Sequence, residues 1–329
     1  MKDLAGKRVL VTGGAGFIGS NLVDSLIEMG CEVVVVDNFD EFYSGKERNI
    51  EGHIGNENFH LVKGDILDYD LLSRAMKGVD VVFHEAAQAG IRYCNLNPVK
   101  AHRVNVEGTL NVLLASKERN VRRIVYASSS SVFGRPSAVP IDESCTTNPT
   151  SPYGATKLAG EKYCLAFHEV YDLDVVCLRY FSVYGPRGRP DQVICSMARN
   201  IMAGRSPVIY GSGNQRRDFT YVSDIVEATL LAAEMEDVGG EVFNIGFGKD
   251  FSVKELFDIL LESVGKSSGD VKPVYLEPYR GDFERTLADN SKAQRMLGWK
   301  PRVDLKEGIM KFLDWMKVTP STGGGTLEG

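Results

Sequence analysis

Short, almost unbroken apolar runs, separated by longer stretches with helical periodicity, set the rhythm of the first half of the chain. The runs lie at 8–12, 33–36, 59–62, 79–83, 123–126 and 175–178, typified by Val33-Val34-Val35-Val36. Strands that are apolar on both faces belong inside a sheet covered on both sides. Between them helices are expected at 17–29, 68–77, 98–119 and 152–171. The third opens on Asn97-Pro98, a capping residue followed by proline at the first helical position. Strand and helix in alternation predict parallel strands joined by helical crossovers, an α/β doubly wound sheet.

After residue 180 the texture changes. Prolines, glycines and arginines thicken and the elements shorten, with helices expected at 191–203, 223–235, 252–264, 291–297 and 305–316 and strands at 208–210, 242–245 and 274–276. We therefore divide the chain into a first domain over 1–180, a smaller mixed α/β domain over 181–317 with some segments returning to the first, and a flexible tail of linker composition over 318–329. The 329 residues, 43% hydrophobic and 25% charged, suit a soluble globular protein. A formal charge of −6 with no basic face or tail argues against nucleic acid as a partner. No apolar stretch reaches the length of a membrane span, and the first residues run straight into a strand without a signal-peptide core, so neither membrane insertion nor export is expected. The six cysteines show no paired spacing, which suggests neither a metal site nor a disulfide framework and fits reduced thiols in a cytoplasmic protein.

Composition leaves the chemistry open; the motifs narrow it. Thr12-Gly13-Gly14-Ala15-Gly16-Phe17-Ile18-Gly19 follows the first strand and opens the first helix, the context of a dinucleotide fingerprint. Glycines let the backbone approach a pyrophosphate, whose charge suits the exposed N–H groups of a helix N-terminus. Asp37, ending the second run, can accept hydrogen bonds from ribose hydroxyls and would repel a 2′-phosphate, so NAD is favoured over NADP. Gly64-Asp65-Ile66 and His84-Glu85-Ala86-Ala87 follow the third and fourth strands, at the carboxyl ends where ligands bind in such sheets. Tyr153 and Lys157, four residues apart on a helix, share a face. An ammonium there favours the ionised phenol, and a tyrosine so placed can move a proton near neutral pH.

Taken in order, these residues resemble the extended short-chain dehydrogenase/reductase family and, within it, the NAD-dependent nucleotide-sugar 4-epimerases. The likeness runs from about residue 7 to 317. It rests on the Thr12 to Gly19 fingerprint, Asn105 in Val104-Asn105-Val106-Glu107-Gly108-Thr109, the run Ala127-Ser128-Ser129-Ser130-Ser131-Val132-Phe133-Gly134, Tyr153 with Lys157, and Arg179-Tyr180-Phe181-Ser182-Val183-Tyr184-Gly185-Pro186. The resemblance implies a Rossmann domain with NAD held by Gly13, Gly16, Phe17, Ile18, Gly19, Asp37, Asn38, Asp65, Ile66, Ala86, Ala87, Asn105, Tyr153, Lys157 and Tyr180. It also implies Tyr153 as the acid/base, Lys157 holding the nicotinamide ribose while lowering the tyrosine pKa, and Ser129 bonding the sugar 4-oxygen with Ser130 or Ser131 in support. The implied reaction oxidises a UDP-sugar at C4 and reduces it from the other face, with no net oxidation.

By the same resemblance, Arg217-Asp218-Phe219 matches a diphosphate-binding arginine and its following acid, and Tyr210 falls where an aromatic packs on uracil. Two positions depart from the family pattern: Ser182 stands where many hexose epimerases have Asn, and Tyr279 replaces the usual arginine, with Arg280 shifted by one. Thr286 would leave room for an N-acetyl group at C2, whereas Arg189 matches the residue that approaches the sugar carboxylate in uronate epimerases. The expected substrates are UDP-glucose and/or UDP-N-acetylglucosamine, with UDP-glucuronate 4-epimerisation as the alternative. Behind it stand a UDP-glucuronate decarboxylase, a 4,6-dehydratase, which carries an Asp-Glu pair where this chain has Ser130 and Ser131, and an NAD-sensing regulator without turnover. Helices 98–119 and 152–171 match those that pair in family homodimers, so a homodimer is expected.

Overall fold

The computed structural model describes residues 4–278 and 284–319. The strands are β1 (Arg8–Thr12), β2 (Glu32–Asp37), β3 (Phe59–Lys63), β4 (Val81–His84), β5 (Arg123–Ser129), β6 (Val175–Tyr180), β7 (Ser182–Tyr184), β8 (Val208–Tyr210), β9 (Arg216–Tyr221), β10 (Val242–Ile245), β11 (Asp250–Ser252) and β12 (Val274–Leu276). Seven of them form one parallel sheet in the order β10-β6-β5-β4-β1-β2-β3.

The apolar runs are unbroken because successive residues feed two different cores. Val9, Val11, Val33, Val35 and Phe83 join one buried cluster; Leu10, Val34, Val36, Val82 and Ile124 join another on the opposite face. Strand order reverses between β1 and β4, and the crevice at such a reversal, beyond the strand carboxyl ends, is where open α/β sheets bind ligands. The expected helix 152–171 forms at Pro152–Tyr171, opened by Ser151, whose hydroxyl accepts from Gly154 N. The expected helix 98–119 is interrupted by a π turn over Arg103–Glu107 between Pro98–His102 and Gly108–Glu118. Such a one-residue bulge re-aims side chains, and here Asn105 is buried within it.

Two segments from beyond residue 180 belong with the main sheet: β10 extends it beside β6, and the helix Val222–Glu234 packs on the helix Phe17–Glu28. Three strands have no counterpart in the periodicity. β11, β9 and β7 form a small sheet in that order, and β9 carries Arg216, Arg217 and Asp218 at its start. The short helices Lys46–Ile50 and Ile91–Leu96 were likewise not anticipated. Among the described residues no helix is long and apolar enough to cross a membrane, and no cluster of His, Cys, Asp or Glu could hold a metal ion.

Candidate active site

The carboxyl ends of β1, β2, β4, β5 and β6 open into one cavity. Its wall includes Gly13, Gly16, Phe17, Ile18, Gly19, Asp37, Asn38, Asp65, Ile66, Ala86, Ala87, Tyr153, Lys157, Tyr180 and Arg189. All the residues expected to hold the cofactor are therefore gathered there except Asn105. That side chain is committed elsewhere: Oδ1 accepts from Gln88 N at 2.7 Å, and Nδ2 donates to Gln88 O at 3.0 Å and Thr156 Oγ1 at 2.9 Å. Asn105 clamps the loop after β4 against the helix Pro152–Tyr171 instead of lining the cavity.

The glycine loop fits a dinucleotide on steric grounds. A Cβ on Gly13 would lie 2.7 Å from Ala86 Cα, and one on Gly19 would lie 2.3 Å from Gly13 O, so the backbone is as close as glycine permits. The helix Phe17–Glu28 starts at Gly16, which has no side chain to cap it; Phe17 N donates to the Tyr43 hydroxyl, and the positive end of the helix dipole, at the cavity wall, suits an anion. Asp37 Oδ2 accepts from Ala15 N at 3.0 Å and Oδ1 from Phe39 N at 2.8 Å, so its carboxyl is fixed at the cavity edge. Burial pushes that carboxyl up, opposed by Lys46 and the two amides. The residues present thus fit NAD. Gly13→Ala is expected to force apart the loops after β1 and β4, since φ there is +69°. Bound NAD after gel filtration should fall at least ~10-fold and the denaturation midpoint should drop by the equivalent of about 1–3 kcal/mol; unchanged NAD content would contradict the cradle.

Across the cavity, Ser129 ends β5 and accepts from Ser131 N at 3.2 Å, which leaves its own O–H to donate. It is the hydrogen-bonding neighbour of the Tyr153 phenol. Burial raises the Tyr153 pKa, opposed first by the charge of Arg189 and then by the Ser129 hydrogen bond. Lys157, four residues on, carries its Nζ over the Tyr126 ring, 4.4 Å from the centroid. Burial pushes Lys157 itself down to about 8, with Glu85 the first charge opposing the fall.

Arg189 donates from Nε to Asp191 Oδ1 at 3.0 Å and from Nη2 to Asp191 Oδ2 at 3.2 Å, with its guanidinium 5.8 Å from the Phe42 ring centroid. Ser130 opens a short helical turn over Ser130–Phe133. Of the residues expected at the substrate, Arg189 lines this cavity and Ser129, Ser130, Ser182, Tyr210, Arg217 and Thr286 do not. Ser182 on β7 pairs with Phe219 on β9, two residues from Arg217, whereas Tyr210 on β8 pairs with Leu276. Thr286 is buried, with its N–H donated to Arg216 O at 3.1 Å. Tyr279 and Arg280 lie outside the described residues. Asp218, the acid after Arg217, stitches three segments together by accepting from Phe247 N (2.7 Å), Gly248 N (2.9 Å) and Ala288 N (3.0 Å).

Sequence reasoning missed Phe42, Tyr43, Lys46 and Gln88 in the cavity wall and gave Glu85 no role. Phe42 and Tyr43 follow β2 in a loop with no periodicity, although two adjacent aromatics beyond the acid that ends β2 are a usable signal. Glu85, a carboxylate directly after a fully buried strand, is another.

Comparison with known proteins agrees with this geometry. The NAD dependent epimerase/dehydratase family matches residues 9–246. A putative UDP-glucose 4-epimerase of Methanocaldococcus jannaschii is 41% identical over 314 residues, 94% of this chain and 98% of its own length. The UDP-N-acetylglucosamine 4-epimerase of Methanobrevibacter ruminantium, solved with UDP-N-acetylmuramic acid, superposes with a TM-score of 0.88 at 37% identity, covering 95% of this chain and 99% of that one. The UDP-glucuronic acid 4-epimerase of Bacillus cereus, solved with UDP-glucuronic acid and NAD, gives 0.88 at 35% identity over 94% and 99%. A glycine cradle, a carboxylate fixed at the cavity edge and a tyrosine-lysine pair in one cavity, matched over most of the chain, place this protein in the NAD-dependent epimerase/dehydratase family.

Proposed function

We propose that this chain is a UDP-sugar 4-epimerase that interconverts gluco and galacto configurations, with UDP-glucose and/or UDP-N-acetylglucosamine as substrate. The observation that carries the reading is the meeting of Tyr153 and Lys157 with the glycine loop at one cavity, with Ser129 hydrogen-bonded to the Tyr153 phenol. Relatives and structural neighbours that act on all three UDP-sugars support it. NAD, when bound, supplies the hydride acceptor and donor. The chain's own residues do the rest. Tyr153 Oη takes the proton of the sugar 4-hydroxyl and returns it to the same oxygen after the ring has turned. Ser129 Oγ donates to that oxygen and holds it beside the phenol. Lys157 Nζ grips the nicotinamide ribose, and Asp37 the adenosine ribose. Gly13, Gly16 and Gly19 admit the pyrophosphate, with Phe17, Ile18, Asn38, Asp65, Ile66, Ala86, Ala87 and Tyr180 completing the cofactor wall.

Arg217, Tyr210, Ser182 and Thr286 are the proposed contacts for the UDP end and the C2 substituent, in a smaller domain over 181–317. UDP-glucuronate is the second reading, favoured by Arg189 in the cavity wall. We place the protein in the cytoplasm as a homodimer; the exposed Val99 and Leu114 on one proposed pairing helix and Tyr163, Val170 and Tyr171 on the other support the pairing.

The test is to incubate the purified protein separately with UDP-glucose, UDP-N-acetylglucosamine and UDP-glucuronate, without added NAD, and to resolve products by ion-exchange chromatography with mass detection. An isomer of unchanged mass is expected. Loss of the mass of water or of carbon dioxide would move the activity to dehydratase or decarboxylase, and no turnover even with NAD supplied would overturn the reading.

A further inference from the structure

Glu85 takes no part in the proton transfer described above, yet its carboxyl belongs to the wall of the same cavity. It follows β4 directly, and its Oε1 accepts from the Tyr180 hydroxyl at 2.9 Å. That hydroxyl also lies 2.8 Å from Thr229 Oγ1, which donates its own proton to Ile225 O at 2.8 Å. The ionised carboxylate has no proton to give, so across this contact the Tyr180 hydroxyl donates to Glu85. The carboxyl is thus anchored as an acceptor.

Lys157 is 2% exposed, and an ammonium so enclosed needs a counter-charge to keep its proton. The charged and titratable groups facing it come from four elements: His84 and Glu85 at the end of β4, Tyr126 on β5, Cys177 on β6, and Tyr153, Glu161 and Cys164 on its own helix. Glu161 is already bound by Arg179 and by Ser128. Burial, with Lys157 beside it, pushes His84 down to about 3, so the imidazole is neutral. The Cys164 hydrogen bond and burial hold the Cys177 thiol up, and burial holds the Tyr126 and Tyr153 phenols up. Among the groups named, Glu85 is the anion left to serve Lys157.

We propose that Glu85 is a positioning residue, the anchored counter-charge that keeps Lys157 an ammonium in the cavity wall and so preserves its grip on the cofactor ribose. The inference rests on the part given to Lys157 under the proposed function. Burial pushes Glu85 up to about 7, opposed by the Tyr180 hydrogen bond and by Lys157. Lys157 sits at about 8. As pH falls through the Glu85 value Lys157 keeps its charge but loses the anion that aims it, and as pH rises through that of Lys157 the ammonium itself is lost. Both charges are present together only in the window between.

Glu85→Gln keeps the shape and the acceptor for Tyr180 while removing the charge. In the NAD-loaded enzyme, the inflection of kcat/KM near neutral pH should vanish, and the high-pH limb should move down by about one unit. NAD retained through gel filtration at about pH 7.5 should fall at least ~3-fold. Glu85→Asp should restore the limb. Tyr180→Phe removes a hydrogen bond to the ionised carboxyl and should move the inflection upward, a readout that survives if Glu85→Gln does not fold. A Glu85→Gln enzyme with lower amplitude but unmoved limbs and wild-type NAD retention would overturn the proposal, as would an unmoved inflection in Tyr180→Phe. Failure of the wild type to turn over any UDP-sugar would instead refute the proposed function, and NAD retention would still test Glu85.

Discussion

Tyr153→Phe is expected to lower turnover of the UDP-sugar by at least ~10³-fold, the scale of a lost acid/base. The substitution removes one oxygen and keeps the ring that fills the wall of the cavity. The phenol's hydrogen-bonding neighbour Ser129 keeps its bond from Ser131 N and loses only the acceptor of its O–H, so the cost in stability should stay near ~1 kcal/mol. Gly13, Gly19, Asp37 and Lys157 are untouched, so NAD should remain bound. The measurement pairs initial rates for each UDP-sugar with the NAD content of the purified variant. Retained turnover would refute the role of Tyr153; turnover and NAD lost together would leave the residue a binding element. The direction of the Tyr153 shift adds a second check. Burial raises the phenol, and Arg189 opposes it first, so Arg189→Met should raise it further. The phenolate absorbance of the wild type minus that of Tyr153→Phe, followed against pH, should show that upward move in the Arg189→Met background.

The parallel sheet could be read from the chain because burial on both faces writes itself as unbroken apolar runs; Leu10 and Val11 point into different cores and are both apolar for that reason. The small sheet could not. β9 begins Arg216-Arg217-Asp218, and the partners that make this a strand are distant: Asp250 receives both Arg216 and Arg285, while Asp218 holds the amides of Phe247, Gly248 and Ala288. Local pattern carries none of that. The same division runs through the site. The glycine loop and the Tyr153 and Lys157 pair are short-range and visible in the letters. The charges that tune them, Arg189 for Tyr153 and Glu85 for Lys157, reach across the sheet from other loops. Spacing also says nothing of the cost of burying a phenol, which pushes Tyr153 up against Arg189 and Ser129.

Glu161 shows how much rests on one such distant partner, and Glu161→Gln should be the most destabilising of these substitutions. It lies four residues beyond Lys157 on the same helical face, so its position is legible, but its burial is not. The side chain is 0% exposed and Arg179, its partner on β6, 4%. Arg179 Nε donates to Oε2 at 2.9 Å and Nη2 to Oε1 at 2.7 Å, while Ser128 Oγ donates to Oε2 at 2.8 Å. Losing the anion leaves a buried guanidinium uncompensated, at a cost of roughly 3–5 kcal/mol, a large part of the ~5–15 kcal/mol that holds a domain together. Replacing both partners by apolar residues of similar volume, Glu161→Leu with Arg179→Met, removes the two desolvation penalties along with the attraction and should be far milder than either single change. Denaturant midpoints of the two singles and the double give the coupling directly. A Glu161→Gln cost below ~1 kcal/mol would show that Arg179 finds another partner or water. Because Ser128 precedes Ser129 and Arg179 precedes Tyr180, the variant that folds should also lose activity through kcat more than through KM, as the wall that aims Ser129 loosens.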